Sequence, residues 1–67
     1  LPKEKTIELI KKLINDIGEK LKELKKIEPM IKKSAEQFQM STLYFGMDHL
    51  RFMIDWYEKF IEDLEKQ

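Results

Sequence analysis

The chain reads as all-α: an antiparallel helical hairpin, completed either to a small three-helix bundle or, by self-association, to a four-helix bundle. Three observations predict this. Apolar residues recur in alternating steps of three and four along most of the chain, the spacing that keeps side chains on one side of a helix. A single proline, Pro29, punctuates the pattern near its middle. No run alternates apolar and polar residues as a half-buried strand does.

The first helix is expected over about residues 3–27. Pro2 suits a first turn, where its missing N–H costs nothing. Ile7, Ile10, Ile14, Ile17, Leu21 and Leu24 form the stripe, and Leu9 and Leu13 widen it at the start. Most other positions are Lys or Glu, a solvated surface with pairs such as Glu8 and Lys12 at helical spacing. Gly18 interrupts the helix at a cost of about 1 kcal/mol relative to Ala. The stripe nevertheless passes from Ile17 to Leu21 in phase, so the helix continues through it.

Pro29 disfavours a helical conformation at Glu28 and cannot donate a helical hydrogen bond. A turn at about residues 27–29 follows, and so short a connection makes the helices antiparallel neighbours. That register sets Leu24 opposite Ile31, Leu21 opposite Ala35, Ile17 opposite Phe38 and Ile10 opposite Phe45.

The second helix, about residues 30–66, carries two apolar stripes on opposite faces. One is Ile31, Ala35, Phe38, Thr42, Phe45, His49, Phe52 and Trp56; the other is Met40, Leu43, Met47, Leu50, Ile54, Tyr57, Ile61 and Leu64. One neighbouring helix covers only one of them. With a turn at 27–29, the first helix also runs out near Phe52. Either a break near residues 41–48, at Ser41-Thr42 or at Gly46 before Asp48, supplies a third helix, or a second copy supplies the cover. The unbroken phase of both stripes favours a continuous helix.

Sixty-seven residues make one domain, spanning 1–67, with a small core. Without Cys there is no disulfide, no thiolate chemistry and no cysteine-based metal site, and the compartment stays undetermined. Thirteen basic against thirteen acidic residues argue against a nucleic-acid binder. The charges are unevenly placed: residues 1–33 carry about +4 and residues 34–67 about −4. This suits two halves folding on one another or, less simply, a basic helix steering toward an acidic partner. No apolar run reaches the 18 or so residues of a membrane span, and no signal peptide is visible, so a soluble chain without membrane insertion is expected.

No catalytic set is legible. His49 is the only histidine, and its neighbours at helical spacing, Phe45, Gly46, Phe52 and Met53, neither ligate metal nor orient an imidazole. Asp55, Glu58, Glu62, Asp63 and Glu65 read as a solvated face among Lys59 and Lys66. Phosphate loops, nucleophile elbows and catalytic triads are lacking. No enzyme, cofactor or metal is expected.

The aromatics say more. All seven lie between Phe38 and Phe60, and residues 37–47 carry no charge. Each large ring buries about 150–250 Å². Phe45, Phe52 and Trp56 together rival the largest apolar patch usual on a soluble monomer, about 300–600 Å². The expected function is non-catalytic protein–protein interaction through an aromatic and Met-rich face of the second helix, with Phe38, Phe45, His49, Phe52 and Trp56 as candidate contacts. The alternative is a homodimerising, coiled-coil-like bundle. Which stripe is core stays open, although the more aliphatic second stripe matches the first helix better and the mixed first stripe has interface composition.

In style the chain resembles de novo designed small helical binding proteins: a Lys/Glu/Ile/Leu helix from Lys3 to Lys26, an abrupt Glu28-Pro29, no Cys, and one helix loaded with Phe, Trp, Tyr and Met. Gly18, Asn15 and Met40-Ser41-Thr42 depart from that regularity. In texture it is also similar to the dimerising C-terminal helices of bacterial transcription regulators. Either resemblance implies a helical partner-binding module.

Overall fold

The computed structural model describes all 67 residues, Leu1–Gln67. Two helices account for nearly the whole chain: α1, Lys3–Lys32, and α2, Gln37–Glu65. They pack against each other as a hairpin measuring 49 × 15 × 14 Å.

The turn lies later than the sequence suggests. α1 continues through Pro29 to Lys32, and the chain reverses over Lys33–Glu36 rather than at residues 27–29. A proline inside a helix costs about 3 kcal/mol, chiefly through the lost hydrogen bond and its clash with the preceding turn. Here the extra length offsets that cost. It gives helices of 30 and 29 residues, so α1 no longer runs out before α2 does.

Two local devices fix the reversal. The Ile31 carbonyl accepts the N–H groups of Ser34 and Ala35 at 3.1 and 2.8 Å, closing the last turn of α1. Glu36 then opens α2 with a capping box, in which the Gln39 side-chain oxygen accepts the Glu36 N–H at 3.0 Å.

α2 runs unbroken. Thr42 does not cap a new helix; its hydroxyl donates to the Phe38 carbonyl at 3.1 Å, one turn back in the same helix. Gly46 keeps a helical backbone, with no positive φ. The expected alternative of a break near residues 41–48 is therefore not realised. No third helix forms, because neither candidate breakpoint outweighs the propagation of a helix whose aliphatic stripe is covered along its length.

Moving the turn slides the register. Lys3 donates from Nζ to the Gln67 carbonyl at 2.9 Å, and Lys11 and Ile14 line one shallow depression with Glu58 and Ile61. At the other end Glu28 lies near enough to Tyr44 to raise the pKa of its phenol. Ile17 thus faces α2 roughly four turns beyond Phe38, the position expected for it. Ile31 lies in α1 and Ala35 in the turn, so the aromatic stripe of α2 begins at Phe38.

The core is a single seam. Ile17 and Leu21 from α1 and Met47 and Ile61 from α2 are its buried residues. Ile7, Ile10, Ile14 and Leu24 flank them on α1, half-buried, as do Met40, Leu43, Leu50, Ile54, Tyr57 and Leu64 on α2. Charge adds little to the cohesion of the hairpin. The ion pairs, Lys5–Glu8, Glu19–Lys22, Asp48–Arg51 and Glu62–Lys66, each join residues three or four apart along one rod and are exposed, and such pairs contribute at most about 0.5 kcal/mol.

Candidate functional site

The two stripes of α2 have different fates. Every member of the Met40–Leu64 stripe is buried or half-buried against α1. The stripe from Phe38 to Trp56 points away from α1. Phe38 is 79% exposed, Phe45 74%, Phe52 63% and Trp56 51%, and Thr42 and His49 between them are also exposed. The open choice between the faces is settled in favour of an aliphatic core. Met, Leu and Ile interdigitate with the Ile and Leu of α1 at the close spacing of packed helices, which Phe and Trp in the seam would force apart.

Within the exposed stripe the side chains are partly ordered by one another. The rings of Phe45 and His49 lie parallel, their centres 6.3 Å apart. Trp56 meets Tyr57 edge-on at 5.4 Å and the tilted ring of Phe60 at 5.5 Å. Arg51 Nη1 donates to Asp48 Oδ1 at 2.9 Å on the polar flank. The five residues singled out from the sequence, Phe38, Phe45, His49, Phe52 and Trp56, therefore line one accessible face.

Sequence reasoning missed how far that face extends. Lys11 and Glu58 mark one flank of the seam. On the opposite flank, by helical spacing, lie Leu13, Lys20 and Ile27 from α1, and Gly46, Met53 and Phe60 from α2. Leu9 and Met30 continue it on α1, with exposures of 47% and 70%. The signal was present in the spacing, since Leu9 and Leu13 widen the first stripe, but its alignment with the aromatics depends on the register.

The chemistry on offer is limited. No three His, Cys, Asp or Glu side chains come together to hold a metal ion. No buried side-chain polar atom is left without a hydrogen-bond partner. The Tyr44 phenol is held above its ordinary value, first by its hydrogen bond to Glu28, then by partial desolvation and by the Glu28 charge. No helix is long and apolar enough to cross a membrane.

Fold and face together define a class, the long antiparallel helical hairpin whose open side is apolar. Within that class, residues 1–65 match the family model described as virulence activator alpha C-term, and the chain belongs to that family. Neither the curated proteins nor the solved structures yielded a match.

Proposed function

We propose that this hairpin is the non-catalytic association module of a bacterial regulator and that it pairs with a second copy of itself through the exposed face of α2. The observation that carries the reading is the excess of surface. A compact monomer of 8.2 kDa exposes about 4,500 Å². This chain exposes 5531 Å², about 1,000 Å² more, and its largest exposed side chains include Phe38, Phe45, Phe52 and Trp56. A standard protein interface buries about 800 Å² on each partner, so one such contact absorbs the surplus. The product is a four-helix bundle, with a second apolar layer where the lone hairpin has water.

Family membership supports this over an unrelated partner, being compatible with the dimerising helices of bacterial regulators. So does the neutral net charge, which leaves no long-range repulsion between copies. Sedimentation velocity at micromolar concentration tests the proposal. The expected species has twice the 8.2 kDa chain mass. A folded monomer overturns the second copy as partner and leaves the aromatic face to a different protein.

A further inference from the structure

We propose that His49 makes association through the exposed face of α2 sensitive to pH, keeping the face open when its imidazole is charged and letting it close when the ring is neutral; this rests on the dimer proposed above.

The position is unusual in its neighbours. His49 sits midway along the aromatic stripe, exposed, and takes part in none of the hairpin's side-chain hydrogen bonds. One turn away on either side are Phe45 and Gly46, then Phe52 and Met53. The other ionisable groups of α2 between Phe38 and Trp56 are Tyr44, Asp48, Arg51 and Asp55. At about 100° per residue, each is turned at least about 100° around the helix from His49. Asp48 and Arg51 are moreover occupied with each other at 2.9 Å. On α1, the register brings Lys20 and Glu23 nearest to its height, both exposed and of opposite sign. The hairpin therefore gives a charged imidazole no carboxylate partner.

In the open hairpin, water solvates the charged ring. A mate that covers Phe45, Phe52 and Trp56 removes that water, and desolvation disfavours the charged form of a base. Phe45 offers little in return. Its ring lies parallel to the imidazole with centres 6.3 Å apart, just beyond the roughly 6 Å within which a cation is held over an aromatic face. Beside its own aromatics, a second copy presents Lys59 and Asp63, next to Trp56 and Phe60, and Asp16, Lys20 and Glu23 along the middle of α1. These alternate in sign at helical spacing, Asp16 with Lys20, Lys20 with Glu23 and Lys59 with Asp63, so they offset one another. They also lie at the margins of the aromatic stripe. A charged His49 on the mate adds further positive charge to the same layer.

Closing the face thus favours the neutral ring. Association is complete above the range in which imidazole changes charge, about pH 5 to 8, and is lost as pH falls through it. Displacing a titration by one pH unit corresponds to a factor of about ten in affinity for each ring covered. A dimer that covers two His49 rings is therefore weakened by about ten- to a hundredfold across that range.

Sedimentation velocity at about pH 8 and about pH 5, with helicity read by circular dichroism on the same samples, tests the proposal. The expected result is a dimer at the higher pH whose association is at least about tenfold weaker at the lower, with helicity retained. A His49→Gln chain is expected to associate equally at both, whatever its absolute strength. Equal weakening of the two chains assigns the effect to other groups and overturns the role of His49. Loss of helix on acidification in both chains places the response in the fold and overturns it likewise. Association that strengthens on acidification means that a carboxylate of the mate reaches the imidazole, and reverses the assigned sign. An unmodified chain that dimerises equally at both pH values overturns the switch while leaving the dimer standing. A monomer at both overturns the dimer as well.

Discussion

At the scale of single residues, α2 separates two kinds of apolar side chain that composition alone does not distinguish. Met47 is 3% exposed and belongs to the hairpin; Phe45, two positions earlier, is 74% exposed and does not. Met47→Ala is therefore expected to lower stability by about 2–5 kcal/mol at every protein concentration, read from urea midpoints. Phe45→Ala is expected to leave the dilute hairpin within about 0.5 kcal/mol of its starting stability while lowering the midpoint of concentrated samples. Equal losses for the two variants at high dilution would place Phe45 in the hairpin core. Arg51→Ala removes an exposed ion pair with Asp48 and is expected to change the urea midpoint by less than about 0.5 kcal/mol equivalent.

At the scale of elements, the decisive feature is the passage of α1 through Pro29. The ring forfeits one helical hydrogen bond, and removing it should be favourable. Pro29→Ala recovers up to about 3 kcal/mol of helix penalty, less about 0.4–1 kcal/mol because the unfolded chain becomes freer. The expected net gain is about 1–3 kcal/mol, measured by thermal or urea unfolding at fixed concentration. A loss would mean that proline is needed where it stands, as it would be in a turn at residues 27–29. The sequence signal for the true turn was weak, because Glu36 is an unusual N-cap residue. Its pairing with Gln39 is a capping-box spacing that a search for Ser, Thr, Asp or Asn passes over. Ser41-Thr42 and Gly46-Asp48, which do carry conventional boundary residues, lie inside the helix. Local preference there amounts to a kcal/mol or so, less than the packing of a continuous stripe against α1.

At the scale of the whole molecule, one seam between two rods makes a thin core. The radius of gyration is 15.4 Å, against about 11 Å for a compact chain of this length. Stability is accordingly expected to depend on association. A hundredfold dilution from the micromolar range should lower the thermal midpoint by several degrees in the dimer, because unfolding then includes dissociation. A midpoint independent of concentration, with Trp56 emission unchanged over the same range, would argue that the hairpin stands alone. Trp56 is the only Trp, so its emission reports on this face without ambiguity.

What the sequence determined by itself is what periodicity carries. Helix type, the two opposed stripes of α2 and the five residues of its aromatic face are all encoded at intervals of three and four, within the reach of one turn. Tertiary structure decided three other matters: where the chain reverses, which α2 stripe becomes core, and which α1 residues flank the exposed aromatics. Each depends on matching two helices along their full length. A proline penalty of about 3 kcal/mol is decisive for an isolated segment, but it is outweighed when the extra turns let α1 cover the aliphatic stripe of α2. That balance involves residues some thirty to sixty positions apart in the chain, and no local window contains it.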